Sequence, residues 1–573
     1  MKINLGLPAT FPDQRIDYGD IALLVLIGVL GQIFLIANPG YYSHDEWQRF
    51  DYYINNGFIS YVIQHSQIYA GSSFGTPIRP IAFFLQGINN LFFADFPFVV
   101  HLIAAANTII ISLIIYFSCL NFGLAKRASL LAGLFFILNP LTVLATGWSA
   151  ALMDQLYVTF GLIVLLLAVR YIFDETKGML FLGLIAVGGV FSVLSKETGI
   201  VFPASLLLLA ALFPRQLVSR WRRLLLVFSS WSTPIILYLL FRISAIESSF
   251  VGGAADPYAA SVLNFGRNIF IYWIYPFHPL ITEAHNWVFQ ATWSVVLSFV
   301  IHTLLVLILG LCHGFRYAAV YVASYFLFLT PVLFLHNQGS HYMYASGVPL
   351  SIALALLVVN KIKLVKLFSI LGAIILIWHA FVFQKLIYET GQCMTRVSTS
   401  LEAGFASAGY PSDIFFTSDY DAPTHVLLRL VHGRNQVGKY NNIAFYPPSS
   451  NKQPGADSLI LNLNSQCLLS VASLSLEVDD FGPQSTTVGV NPNKQPDGSM
   501  GVWIKLNSTQ GLSHAQVYFD GEPAVGTSVG DKIITAAIDS KYLARPGKYG
   551  VSIKVPTREK IYQVGIFEVR VSE

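Results

Sequence analysis

Apolar stretches long enough to cross a lipid bilayer recur through the first two thirds of this 573-residue chain. About eleven can be read, set against the roughly 20 residues a spanning helix needs. They are 21–37, 98–119, 128–145, 156–173, 179–195, 199–214, 224–242, 292–312, 318–335, 344–360 and 364–383. The runs 179–195 and 199–214 are short and share a tight connection. Only 12% of the residues are charged and 54% are hydrophobic, with mean hydropathy +0.59. Soluble domains carry about 25% charged residues. The fold class is therefore a polytopic α-helical membrane protein. A polar stretch with Asp13, Arg15, Asp17 and Asp20 precedes the first run, and no small-residue cleavage site follows. The N-terminus is accordingly not read as a cleavable signal peptide.

Loop charges give an orientation. Alternate loops carry Lys126 and Arg127; Arg170 and Lys177; Arg215, Arg220, Arg222 and Arg223; Arg316; and Lys361, Lys363 and Lys366. The positive-inside rule sets these on the cytoplasmic side. The net charge of +4 reflects this bias and calls for no nucleic-acid partner. SHDEWQRFD, GWSAALMD, LSKETG, the 244–290 loop, HNQGSHYMY and the tail then all fall on the opposite face. A transporter would instead place charges near the middle of its helices and show internal repeats. Neither is evident in the sequence.

After Lys385 the composition turns to Ser, Asn, Gly, Asp and Pro. Residues 1–385 read as the membrane domain, 386–472 as an exported mixed α/β region, and 473–573 as an exported β-sandwich. The last segment alternates strands such as GVWIKL and HAQVYF with turns such as PDG and PGK. It resembles an immunoglobulin-like module of the IPT type. Cys393 and Cys467 lie in the tail, where an oxidising compartment would allow a disulfide; two free thiols are the other reading. Asp419-Tyr420-Asp421 has the form of a metal-nucleotide DxD motif, but on that face it is read as a turn.

Trp47, Phe50, Ile54, Phe58 and Tyr61 recur at helical spacing, so 45–62 reads as an amphipathic surface helix. Ser43 and Glu46 match a capping box at its start. That explains Glu46 as readily as a functional role does, and it leaves Asp45 unexplained. An ionised carboxylate at a helix N-terminus can act as a general base toward a hydroxyl.

The segment GTPIRPIAFFLQGINNLFFADFPFVVHLIAAANTII from Gly75 is similar to the first exported loop of the GT-C glycosyltransferases. These include the protein O-mannosyltransferases, their TMTC relatives and the bacterial aminoarabinose transferases of lipid A. NPLTVLATGWSAALMDQLYVTF resembles the second loop of the TMTC-like branch, placing Trp148 and Asp154 at its aromatic and acidic positions. LSKETGIVFP resembles the family's Lys-Glu hairpin. HYMYASGVPL occupies the place of an Arg-Tyr-Leu-Tyr segment, with His341 where an arginine is usual. The resemblance spans roughly residues 20–385.

It implies a GT-C fold with about eleven transmembrane helices and transfer of a sugar from a polyprenyl-phosphate donor. The acceptor would be an exported protein hydroxyl, a glycan or a lipid. The setting would be a bacterial inner membrane, with the site on the periplasmic face. Asp45 would deprotonate the acceptor in a displacement that inverts the anomeric centre. The departing phosphate needs cations, and Arg49, Arg79, Lys196, Arg267, His336 and His341 are candidates on that face, with Tyr344 as a further carrier contact. Lys196 and Glu197 are equally readable as a mutually neutralising pair. Asp154 would orient the acceptor, hold its helix start or help bind a divalent cation. No protein metal site is implied, because no His/Cys cluster has zinc spacing. A lipid-linked glycan flippase, and a polysaccharide polymerase or ligase using a lipid-diphosphate donor, are the competing functions.

Overall fold

The computed structural model describes residues 17–41, 46, 53, 57–62, 79–93, 96–174, 176–213, 217, 219–249, 261–278, 292–408, 413–417, 444–446, 458–463, 467, 469–471, 478–490, 492, 501–506, 515–530, 532–554 and 561–572. The chain divides into two compact units, Met1–Gln392 and Cys393–Glu573.

The first unit is helical. Its helices are α1 (Tyr18–Gly31), α2 (Ile33–Ile36), α3 (Pro80–Phe93), α4 (Pro97–Asn121), α5 (Lys126–Ile137), α6 (Pro140–Gly147), α7 (Leu152–Phe173) and α8 (Met179–Ser195). Then follow α9 (Ala204–Leu212), α10 (Trp221–Ser249), α11 (Leu263–Ile274), α12 (Thr292–His313), α13 (Phe315–Leu327), α14 (Gly347–Val358) and α15 (Lys363–Ala408), whose residues from Cys393 on belong to the second unit. Local chemistry sets several starts. Asp17 caps α1 by accepting the Gly19 N–H at 2.8 Å. Asn139 caps α6 through the Leu141 N–H at 3.1 Å. Pro97 and Pro140 open α4 and α6, where a missing N–H costs nothing.

Among the described residues, five helical stretches are long and apolar enough to cross a membrane: Pro97–Asn121, Ser149–Phe173, Trp221–Leu240, Trp293–His313 and Lys363–Val397. The pair α5 and α6, bent by 50°, makes a sixth if taken as one span. The sequence suggested about eleven; Met179–Ser195 and Gly347–Val358 are apolar helices of 17 and 12 residues, and other runs are divided by backbone breaks that hydropathy alone does not register. The run 21–37 is interrupted at Gln32. The run 199–214 opens with a 3-10 turn at Glu197–Val201, and 318–335 stops being α-helical at Leu327. These runs remain apolar and helical, in pieces too short to count as spans by length.

Helices in lipid gain little from hydrophobic contrast with their surroundings and associate through close packing and internal hydrogen bonds. Gly133 of α5 sits against the Ser112 side chain of α4, and Ser112 Oγ donates to the Gly133 carbonyl at 2.9 Å. Gly189 of α8 lies under the buried Trp231 indole of α10 in the same way. A polar seam joins the first and last helices. Gln384 Nε2 donates to Gly31 O at 2.9 Å, satisfying a carbonyl exposed by the break at Gln32. Asn38 Nδ2 donates to Ile387 O at 3.3 Å, and Asn38 Oδ1 accepts the Gly40 N–H at 3.1 Å. His101 Nε2 donates to Gly40 O at 2.8 Å. This seam fixes the chain just ahead of Ser43 and Asp45, both of which lie outside the described residues.

The second unit holds a small sheet and a sandwich. In the small sheet β1 (Asp413–Thr417) lies between parallel neighbours β2 (Ala444–Tyr446) and β3 (Ser458–Leu463), and β4 (Leu469–Val471) pairs antiparallel with β3. Cys393 of α15 is disulfide-bonded to Cys467, just past β3. Asp419 and Asp421 lie outside the described residues.

The sandwich strands are β5 (Val478–Gly482), β6 (Ser485–Thr487), β7 (Gly501–Leu506), β8 (Gln516–Phe519), β9 (Glu522–Pro523), β10 (Gly526–Val529), β11 (Ile533–Ala537), β12 (Gly547–Lys554) and β13 (Ile561–Arg570). They form two sheets, ordered β10-β11-β7-β5 and β6-β13-β12-β8-β9. Alternation along β7 buries Val502, Ile504 and Leu506 against Val517, Phe519, Val551, Ile553 and Phe567 of the other sheet. Phe519 is fully buried, 6.2 Å from the Phe567 ring. Phe519→Ala is expected to cost about 3–5 kcal/mol of sandwich stability. Chemical denaturation of the native and variant chains, followed by limited proteolysis of the 473–573 segment, checks this. An unchanged midpoint would mean that the two sheets do not share this core.

Candidate active site

The ends of α3, α7 and α8 meet at one place, and charged side chains meet with them. Asp154 stands in the first turn of α7, and Lys196 follows the last residue of α8. The Lys196 ammonium donates to Asp154 Oδ1, and both residues are buried. Arg79, one residue before α3, makes a two-point contact with Glu197: Nε donates to Oε2 at 2.7 Å and Nη2 to Oε1. Burial works against the Arg79 charge, but the Glu197 carboxylate outweighs it and holds the guanidinium above its ordinary pKa. Arg79 Nη1 also reaches Met153 Sδ at 2.7 Å, tying α3 to the start of α7.

Adjacent residues Lys196 and Glu197 thus pair with different partners. The sequence allowed that they neutralise each other. The extended backbone at Lys196 (φ −158°, ψ 138°) turns it from the helix into the following 3-10 turn. Lys196 pairs with the second loop of the sequence reading and Glu197 with the first.

Glu46 joins the same region by a route the sequence did not suggest. It is 1% exposed, and its Oε1 accepts the Ser149 N–H at 2.6 Å. The carboxylate therefore links the first loop to the Gly147–Asp154 turn. Ser43, its expected capping partner, lies outside the described residues, as do Asp45 and Arg49.

Aromatic rings wall the cluster. Trp148 meets His341 edge-on at 5.1 Å, His341 lies 4.1 Å from the Tyr342 ring, and the Lys196 ammonium sits 4.8 Å over Tyr342. The ring quadrupole attracts a cation lying over its face. Tyr344, read from sequence as a carrier contact, is sealed inside the bundle instead. Its hydroxyl lies 2.9 Å from Thr108 Oγ1, which lies 2.9 Å from Thr146 Oγ1. Gln155 Nε2 donates to Ala145 O at 3.0 Å beneath the same group. These bonds lock the turn that carries Asp154 to the segment that carries His341.

Arg267 and His336 meet each other: Arg267 Nη2 donates to His336 O at 2.8 Å. Asn268 Nδ2 donates to Leu333 O and Leu335 O at 2.9 and 2.8 Å, and Gln338 Nε2 donates to Asn268 Oδ1 at 3.0 Å. Both Arg267 and His336 are exposed, and their bonds hold the 333–338 strap to α11.

Sequence reasoning omitted Met153, Ser149, Tyr342 and Thr108. Tyr342 and Ser149 sit inside the polar motifs already singled out. Met153 and Thr108 also fall within quoted segments but carry no signal of their own, since an ordinary apolar or hydroxyl side chain becomes a partner only through packing. Among the described residues, no group of three or more His, Cys, Asp and Glu is arranged to hold a metal.

No family model matches the sequence. No curated protein matches it. Among solved structures, the chain is similar to the Archaeoglobus fulgidus oligosaccharyltransferase, crystallised tethered with an acceptor peptide containing the NVT sequon via a disulfide bond. The TM-score is 0.41 and the identity 12%, over 75% of this chain and 64% of that one. It is also similar to ArnT from Cupriavidus metallidurans in the apo state, with TM-score 0.43 and 12% identity over 78% of this chain and 93% of that one. The chain therefore spans under two thirds of the oligosaccharyltransferase.

Proposed function

We propose that this chain is a membrane glycosyltransferase of GT-C type that moves a sugar from a polyprenyl-phosphate donor to a hydroxyl acceptor. The observation that carries the reading is the convergence of Glu46, Arg79, Asp154, Lys196 and Glu197 from separate loops at one end of the helices. A donor phosphate leaves as an anion, and fixed cations lower the barrier to its departure without reorganising. Lys196, held by Asp154, adds a buried positive charge behind the phosphate position. Arg79, clamped by Glu197, supplies a second fixed positive charge.

Asp45 is the proposed base, taking the acceptor proton as the hydroxyl oxygen attacks the anomeric carbon. Glu46 positions it by anchoring the neighbouring backbone to Ser149. The reading sets this end of the helices, and the 386–472 and 473–573 segments, on the exported face of a bacterial inner membrane. The paired charges stand at the first turn of α7 and just beyond α8, which suits surface chemistry better than a mid-membrane transport path.

The test compares masses of exported glycans, lipids and proteins from cells carrying the native chain or Asp45→Asn, with chain levels checked by blot. Loss of one sugar-sized mass from one acceptor, at equal chain level, is the expected outcome. Unchanged masses would remove Asp45 from the mechanism.

A further inference from the structure

Helix α4 carries no Asp, Glu, Lys or Arg, yet one of its hydroxyls touches three of the segments that build the charged cluster. Thr108 Oγ1 lies 2.9 Å from Thr146 Oγ1 and 2.9 Å from the Tyr344 hydroxyl, and Gln155 Nε2 reaches it at 3.4 Å. All four side chains are buried.

Counting protons fixes the direction of these bonds. Thr146 Oγ1 donates its one proton to Thr142 O at 2.8 Å, so toward Thr108 it accepts. The Thr108 proton therefore goes to Thr146, and Thr108 accepts from Tyr344. Ala145 O can only accept, which turns the amide nitrogen of Gln155 toward it at 3.0 Å and directs the second N–H to Thr108. The amide oxygen of Gln155 accepts in turn from Asn107 Nδ2 at 3.2 Å. Thr108 thus uses its proton and both lone pairs, the full capacity of a hydroxyl.

Each arm ends beside the site. Thr146 stands three residues before Ser149, whose N–H meets Glu46. Gln155 directly follows Asp154, the partner of Lys196. Tyr344 stands two residues past Tyr342, whose ring faces the Lys196 ammonium at 4.8 Å. We propose that Thr108 is a positioning residue for sugar transfer. Its hydroxyl sets the mutual placement of the 146–149 turn, the start of α7 and the 341–344 segment, and thereby the place of the Lys196 charge. Its effect on rate rests on the glycosyltransferase reading; its hold on the three segments does not.

Thr108→Val keeps the shape and removes the hydroxyl. The Tyr344 O–H and one Gln155 N–H then lose their acceptor inside the bundle, a cost the segments relieve by moving apart. The test follows hydrogen exchange of the purified full chain in nanodiscs by mass spectrometry, together with the rate at which the sugar-sized mass appears on its acceptor in cells at equal chain level. In Thr108→Val, exchange over both 146–155 and 341–344 should quicken about tenfold, the equivalent of one lost hydrogen bond. Transfer should slow about 100-fold, as a displacement of about 1 Å at the reacting groups would cause. Thr108→Ser restores the hydroxyl and should restore both readouts, which a purely steric role would not. Should Thr108→Val fail to fold, Tyr344→Phe decides: it removes one arm and should quicken exchange over 341–344 while leaving 146–155 as in the native chain. Native exchange in these variants, or a serine variant as slow as the valine one, overturns the proposal. So does transfer at the native rate in Thr108→Val. Absence of any sugar-sized mass from cells carrying the native chain would instead sink the glycosyltransferase reading, with exchange still deciding whether Thr108 holds the segments.

Discussion

Lys196→Met is expected to cost about 3–5 kcal/mol of stability, because it leaves the Asp154 carboxylate buried without a partner. Both side chains are nearly inaccessible, 5% and 2% exposed. Water therefore cannot take over the role of the lost ammonium. The double change Lys196→Met/Asp154→Leu removes both charges and should recover most of the loss, since a buried pair replaced by apolar residues of similar volume is often neutral. Sugar transfer should not recover with it. The two readouts separate a structural pair from a working one: thermal unfolding in detergent reports the first, and the sugar-sized mass on the acceptor reports the second. A double variant that folds and still transfers sugar would show that Lys196 does not stabilise the leaving phosphate. A single variant as stable as the native chain would show that water reaches Asp154. The corresponding change at Arg79 should cost less, because Arg79 and Glu197 are 18% and 31% exposed and partly screened.

The second large effect concerns the Cys393–Cys467 bond. It closes a loop of 74 residues. On the chain-entropy account, a loop of that length is worth about 4 kcal/mol to the folded second unit. Cys393→Ser/Cys467→Ser should therefore lower the denaturation midpoint of this unit and speed its digestion by protease, with the helical unit's own melting unchanged. The bond also reports on sidedness, since disulfides persist in oxidising compartments. Chain taken from cells under thiol-blocking conditions should run faster on non-reducing gels than the double serine variant. Identical mobility would mean that the cysteines stay reduced in the cell, which removes the support they give to an exported tail.

The division between what sequence and fold contribute is visible residue by residue. Apolar composition dictated a helical membrane unit, because backbone groups in lipid must be satisfied within each segment. Alternation such as that of Val502, Ile504 and Leu506 in β7 dictated a sheet-rich tail, because side-chain direction in a strand repeats every second residue. Asp154, Lys196, Glu197 and Arg79 were legible as candidates, because they stand in the segments that resemble the GT-C exported loops. Their pairing was not. Lys196 stands next to Glu197 in sequence and bonds Asp154, and Glu197 bonds Arg79 across 118 positions. Which carboxylate each cation meets depends on how α3, α7 and α8 converge, a consequence of long-range packing that no local pattern encodes. The same holds for Glu46, whose local spacing suggested a helix cap and whose buried carboxylate accepts from Ser149. Tyr344 makes the converse point: the resemblance made it a carrier contact, and only its tertiary bond to Thr108, itself bonded to Thr146, shows it in the core. Among the described residues, helix length is limited in places by backbone breaks such as the one at Gln32, which hydropathy averages away and Gln384 compensates from the far end of the helical unit.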